Sequence, residues 1–385
     1  MGGGEARGVM GDEEARRVMA AAKDAGIDAC DACLRRTHLL AILSPCLDRV
    51  RDRYGRPDEL LSLSDDALLA GLGGNHRSRL EEALESCDPS ECRDRIEAVG
   101  QRATCRHAPG YPPVLLDLAA PPAVLHLAGA AQVGAEEGVV AIVGARRASA
   151  YATEVARGLG RGLSAAGVTV VSGMAMGVDA AAHEGALARG GRTVAVLGGG
   201  ADVPYPASKR TLHERIRRAG AVVSELPPGF TARRWCFPVR NRVIAALAAV
   251  VIVVEGGERS GSLITARLAR ELGRDVAAVP GHVTAASATG PNGLLFDGAH
   301  VVRDAQDALD LLFGAGARRV APDRDPATLE PRLERLLASV AAGNDTLNSL
   351  AAAGCDPQDA LTGLAELELE GFLMRGPGGV YTPTA

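Results

Sequence analysis

The segment Arg233-Arg234-Trp235-Cys236-Phe237-Pro238-Val239-Arg240-Asn241-Arg242 interleaves four arginines with two aromatic rings. Arginine neutralises phosphate and an exposed ring stacks on a base, so this pattern suits a polynucleotide with unpaired bases better than a duplex. Three glycine-bearing segments offer anion chemistry of a second kind. They are Gly144-Ala145-Arg146-Arg147-Ala148-Ser149, Ser172-Gly173-Met174-Ala175-Met176-Gly177-Val178-Asp179, and Glu255-Gly256-Gly257 with Ser260-Gly261-Ser262. Each opens a stretch of helical spacing, where free backbone N–H groups converge on negative charge. Gly144 and Arg146 would serve one phosphate, Ser172, Gly173 and Gly177 a second, and Ser260, Gly261 and Ser262 a third. A mononucleotide would use one such cradle, whereas a chain of phosphates would use them all. The plainer readings are tight turns, helix caps, Phe237 in the core and arginines held in salt bridges.

Catalytic chemistry is harder to find. Asp179 and His183 lie about one helical turn apart, a spacing open to acid–base work, but no nucleophile accompanies them and satisfied structural groups are the better reading. The dinucleotide fingerprint GxGxxG is absent after the first strand, so no nicotinamide cofactor, and no other cofactor, is expected. Cys30 and Cys33 form a CxxC pair without a second pair at matching spacing, and Cys87 and Cys92 are five apart. On spacing alone the eight cysteines read as small apolar residues and no metal site is expected.

The elements that must position these residues alternate regularly. Short apolar runs at 139–143, 168–171, 193–197, 221–225, 250–254 and 275–279 are separated by helical stretches at 149–166, 178–189, 207–219, 240–248 and 261–272. This predicts an α/β, Rossmann-like doubly wound parallel sheet, with ligands at the carboxyl ends of the strands, where all four segments fall. Around it the reading places a loose N-terminus at 1–25 and a small helical domain (SAM or helix-hairpin-helix-like) at 26–105, in which Ser64 caps a helix. The Rossmann-like domain runs over 106–312 and begins with an extended connector marked by Pro112, Pro113, Pro121 and Pro122. A linker at 313–328 leads to 329–385, where three helices and a hairpin form a winged-helix-like pattern. Its third helix carries Asp359, Glu366, Glu368 and Glu370, which argues against a phosphate-facing role. Apolar residues at Asn292–Phe296 and Val301–Val302 come late in the sheet domain and are candidates for self-association, with Leu295 at the centre.

Charge supports an anionic partner for the middle of the chain only. The whole chain of 385 residues carries a formal −5, yet residues 139–312 hold 20 Lys and Arg against 14 Asp and Glu. No apolar run reaches the length of a membrane span and no signal-peptide pattern opens the chain, so a reduced, cytoplasmic protein without membrane partners is expected.

Several motifs, taken together and in order, resemble the DNA-processing protein A (DprA/Smf) family. They are Ile-Val-Gly-Ala-Arg with Ser149 and Tyr151, Ser-Gly-Met-Ala-Met-Gly-Val-Asp with Ala182 and His183, Tyr205-Pro206, Ser224-Glu225, Phe-Pro-Val-Arg-Asn-Arg, Val-Glu with Ser-Gly-Ser, and Val-Pro-Gly followed by Gly290 and Asn292. The resemblance spans roughly 110–312 and extends to Leu-Glu-Leu-Glu-Gly and Gly-Gly-Val-Tyr in the tail. It implies a non-enzymatic, single-stranded-DNA-binding homodimer that protects incoming DNA and loads the RecA recombinase in natural transformation. It also implies DNA contacts at Arg146, Ser172, Gly173, Arg234 and Phe237, with Arg240, Asn241 and Arg242 supporting. Met176 stands where that family usually has a basic residue, Arg234 where lysine is common, and Ala152 where glycine is usual. Two rivals remain. A nucleotide hydrolase would want Pro-Gly-Gly-x-Gly-Thr and a following acid, and Pro280-Gly-His-Val-Thr lacks both the second glycine and the acid. A nucleotide sensor would prefer a mononucleotide to a long strand.

Overall fold

The computed structural model describes residues 26–54, 57–134, 138–188, 190–320, 329–369 and 372–383. The expected loose N-terminus and the second half of the expected linker lie outside the described residues. The chain divides into two compact units between Arg318 and Arg319.

The first unit is built on a sheet of nine strands in the order β1-β2-β6-β5-β4-β3-β7-β8-β9. These are β1 (Arg102–Cys105), β2 (Val124–Gly129), β3 (Val139–Val143), β4 (Thr169–Ser172), β5 (Thr193–Val196), β6 (Ala221–Ser224), β7 (Val250–Val253), β8 (Asp275–Ala278) and β9 (His300–Val301). From β6 through β9 every pairing is parallel. The central strands are almost wholly Val, Ala and Ile and are buried on both faces, as parallel strands under crossover helices must be. The covering helices are α6 (Ala150–Ala165), α7 (Val178–Leu187), α8 (Arg210–Ala219), α9 (Cys236–Leu247), α10 (Gly261–Glu271), α11 (Thr289–Phe296) and α12 (Ala305–Phe313). The Rossmann-like reading therefore holds. The connection β3-α6-β4 runs one way along the sheet and β7-α10-β8 the other, so the topological switch point lies between β3 and β7.

The expected domain edge at residue 105 falls late by one strand. β1 and β2 form an antiparallel hairpin whose second strand adds to β6. The stretch read as a connector thus enters the sheet, with Leu125 and Leu127 in its core. Among the described residues five helices precede it: α1 (Asp31–Ile42), α2 (Ser44–Tyr54), α3 (Asp65–Leu72), α4 (Arg77–Glu85) and α5 (Pro89–Ala98). Ser64 caps α3 as expected, accepting the Ala67 N–H at 3.2 Å. Leu39, Leu40, Leu43, Leu47 and Leu68 of this helical part share one apolar cluster with Trp235, Cys236 and Val239 at the start of α9.

The second unit holds α13 (Pro331–Ala341), α14 (Leu347–Ala352) and α15 (Pro357–Leu369), then a hairpin of β10 (Leu373–Arg375) and β11 (Tyr381–Pro383). This is the element order expected of a winged helix. Leu333, Leu336, Leu364, Leu367 and Phe372 form its core. Among the described residues no helix is long and apolar enough to cross a membrane.

Candidate nucleic-acid interface

The four segments singled out above do meet at the carboxyl ends of the parallel strands, but the structure sorts their residues into a buried layer and an exposed rim. Trp235 is fully buried, donating from Nε1 to Ser44 Oγ at 2.6 Å and from its backbone to Asp48 Oδ1 at 2.9 Å. The two rings of this segment part company: apolar area and an indole donor with a matching acceptor pull Trp235 into the core. Arg240 and Arg242 are also buried, against the expectation that they support a ligand. Helix α9 begins at Cys236, four residues earlier than the spacing suggested, and its register turns both arginines inward. Arg242 forms an ion pair with Glu225, both side chains buried. Arg240 donates to Val196 O at 3.1 Å. Burial pushes its guanidinium down to about 10, with the opposing charge of Asp179 holding it up. Ser172 is likewise committed to the fold, its Oγ donating to Ile142 O at 2.6 Å.

The second cradle is shaped around these buried groups. A Cβ at Gly173 would lie 1.3 Å from Arg240 Nη1, so only glycine lets the guanidinium pass beneath the loop. Gly177 has φ +79°, and a Cβ there would meet Ala145 O at 2.3 Å. The carboxylate of Asp179 turns back into the loop and accepts the Ala175 N–H at 3.3 Å. Burial raises its pKa, while Arg240 opposes the rise. His183 is enclosed too: its Nδ1 lies 2.7 Å from Thr193 Oγ1, which in turn donates to Val170 O. Burial, reinforced by Arg240, pushes its imidazole down to about 3. Asp179 and His183 are therefore structural groups, as their lack of a nucleophile suggested.

At the switch point the anion site of α6 already holds an anion. Glu255, at the end of β7, accepts the Ser149 N–H at 2.8 Å and its hydroxyl at 3.1 Å. Ser149 caps α6 through the Ala152 N–H. Ser260 caps α10, in which Gly261 is the first residue and accepts from Asn241 Nδ2 at 3.2 Å, while Ser262 is buried. This third cradle is thus partly self-satisfied. Gly144 is enclosed as well: a Cβ there would meet the Val178 side chain at 2.7 Å.

What faces outward is compact. Phe237 is half-buried, with its ring centroid 5.1 Å from that of Tyr205 at a tilt of 42°. The Arg146 guanidinium carbon sits 4.9 Å from the Phe237 centroid, a cation–π contact. Arg147, next to Arg146 in sequence, is exposed, and so is Met176. Arg234 is 69% exposed and 3.6 Å from Asp52, and Arg233 lies 3.8 Å from Asp48. Ion pairs this long and this open are weak, so both arginines remain available to an incoming phosphate. The residue that motif reading underrated is Tyr205: it stands 32 positions from Phe237 and only the fold pairs the rings.

The fold is a Rossmann-like doubly wound sheet whose carboxyl rim carries exposed arginines and paired rings, with Asp179 and His183 buried beneath it. Residues 102–313 match the family model described as DNA recombination-mediator protein A, and the chain belongs to that family. It is 34% identical over 309 residues to Protein Smf of Synechocystis sp., covering 71% of this chain and 78% of that one. It is 41% identical over 199 residues to the putative DNA processing protein DprA of Mycobacterium tuberculosis, and there the match spans 51% of the relative's length. The X-ray structure of DNA processing protein A from Streptococcus pneumoniae superposes with a TM-score of 0.58 at 31% identity, over 72% of this chain and 95% of that one.

Proposed function

We propose that this protein binds single-stranded DNA along the carboxyl rim of its sheet, without chemistry on the strand, and so acts in recombination as a mediator. The observation that carries the reading is the Arg146-Phe237-Tyr205 group with Arg234 exposed nearby in sequence. Rings need an unpaired base to stack on and arginines need phosphates, and only a single strand supplies both in alternation. In the free protein Arg146 covers one face of Phe237. The reading requires it to swing to a phosphate and yield that face to a base. Family membership supports a DNA substrate and a mediator role, and on this reading the protein protects the strand and passes it to RecA in the cytoplasm.

Self-association belongs to the same reading. Phe296, at the end of α11, is 94% exposed, and Val301 is exposed on β9, the open edge of the sheet. Leu294 packs on the core and Leu295 is half-buried, so Phe296 rather than Leu295 is the residue to probe. An unpaired edge strand beside an exposed ring suits a second copy of the chain. The deciding experiment is fluorescence anisotropy with a labelled oligonucleotide in single-stranded and duplex form, with a mononucleotide as competitor. Equal affinity for duplex, or full competition by the mononucleotide, overturns the reading.

A further inference from the structure

Four potential metal ligands outside the rim come together from opposite ends of the first 107 residues. Cys30 is the N-cap of α1 and Cys33 lies in its first turn. Cys105 ends β1, and His107 follows in the turn closed by the Ala108 N–H on Cys105 O at 2.8 Å. The three sulfurs and the imidazole nitrogen all lie within 4.8 Å of one another. His107 Nδ1 is 3.5 Å from Cys30 Sγ and 3.4 Å from Cys33 Sγ. A tetrahedral zinc ion, with Zn–S of about 2.3 Å and Zn–N of about 2.0–2.1 Å, sets its sulfur and nitrogen ligands about 3.5 Å apart. We propose that Cys30, Cys33, Cys105 and His107 form a structural zinc site that ties α1 to the edge of the sheet.

Packing alone does not account for the cluster. Cys33 and Cys105 are buried in a small apolar group with Ala29, Leu34, Ile96 and Val124. Such a group has no use for an imidazole nitrogen, yet His107, itself exposed, turns Nδ1 toward two thiols. The backbone around the ligands is also fixed. Cys105 N–H donates to Asp28 O at 3.2 Å, and Asp28 N–H to Ala103 O at 2.7 Å. The Cys30 N–H points at Cys105 Sγ at 3.5 Å, the kind of supporting contact that steadies a bound thiolate. Arg93 donates to Ala29 O at 2.9 Å and pairs with Asp31, bracing the residues on either side of Cys30.

Three sulfurs and one nitrogen in this arrangement favour zinc over the harder divalent ions, and with all four positions filled by protein the role is structural, not catalytic. By contrast, Cys87 and Cys92 are 3.9 Å apart at sulfur but belong to no such group among the described residues. The CxxC spacing lacked a second CxxC because its complement is a Cys-x-His, 75 positions from Cys30 to Cys105.

The test uses the full chain, purified without a histidine tag and with reductant present. Elemental analysis should give close to one zinc per chain, and cobalt in its place should show the ligand-field and charge-transfer bands of a tetrahedral thiolate site. Cys105→Ser and His107→Ala should lower zinc occupancy at least about tenfold, while Cys87→Ser should leave it intact. A metal-free wild-type protein that also refuses added zinc and cobalt overturns the site, as does a disulfide among these cysteines found by mass spectrometry before reduction, or iron bound in place of zinc. The wild-type cobalt spectrum decides the matter even if the variants fail to fold. It is independent of DNA binding, so its outcome and that of the rim reading are read separately.

Discussion

At the scale of single residues, the division between exposed rim and buried support makes opposite expectations for side chains close in sequence. Phe237→Ala should weaken single-stranded DNA binding by about 1–3 kcal/mol and leave the salt dependence unchanged, because the ring carries stacking and not charge. Arg146→Ala should weaken binding and reduce the salt slope by up to one phosphate's share, about 0.7 in log–log units. Both are measured by anisotropy titrations at several salt concentrations. Arg242→Ala behaves differently: it strands the buried Glu225 carboxylate, so it should cost about 3–5 kcal/mol of stability while the folded fraction keeps the wild-type slope. Arginine type alone cannot separate these cases. Arg146 and Arg242 look alike in sequence, and only the register of α9 and the position of Glu225 distinguish a ligand contact from an internal ion pair. Acid adds another test. Burial lowers the imidazoles of His126 and His183 to about 4 and about 3, from an ordinary value near 6.5. The native state then binds fewer protons than the unfolded chain. Their contribution is complete above about pH 6.5 and is lost as pH falls toward 4 and below. Asp179, raised by burial, acts with the opposite sign, so the histidine share is isolated by comparison with His126→Gln. Thermal melts should show a flatter decline from pH 6.5 to 5 for that variant.

At the scale of elements, the parallel strands and their helices were legible because period and length agree: four or five apolar residues, a glycine-rich turn, then a helical stretch. β1 was not, since Arg-Ala-Thr-Cys is too short and mixed to read as a strand and gains its place only by pairing with β2. The two-residue β9 was hidden for the same reason. The start of α9 was misplaced because Pro238 within a turn-like sequence suggested a loop, whereas proline is tolerated in the first turn of a helix. That helix start holds the helical part of the chain in place. Trp235→Ala should therefore cost about 3–5 kcal/mol and open the cluster shared with Leu39, Leu43 and Leu47. Hydrogen exchange should show protection lost in α1 and α2 before it is lost in β3 to β7. Equal loss everywhere would mean that the indole serves the sheet and the helices alike.

At the scale of the whole molecule, the open edge at β9 and the ring of Phe296 set the expectation for assembly. Phe296→Glu should convert a dimer into a folded monomer in sedimentation experiments, with an unchanged melting profile at low concentration; a wild-type monomer at micromolar concentration would contradict the arrangement. The apolar residues at 292–296 and 301–302 were visible in the sequence, but their place at a sheet edge and the Cys30-Cys33-Cys105-His107 cluster were not, because each depends on segments that are distant in sequence. The placement of Trp235 has a further consequence. It sits between Arg234 and Phe237, anchored inside while its neighbours face outward, so the loop is immobilised when the chain folds. The entropy of ordering those two side chains' backbone is then spent in folding, not in capture of the strand. A rim prepared in this way would meet DNA as a rigid comb, with Arg146 as the one tooth that must turn. Association would be governed by encounter and by that single side-chain rotation, and its rate would fall with salt far more steeply than it would change with temperature.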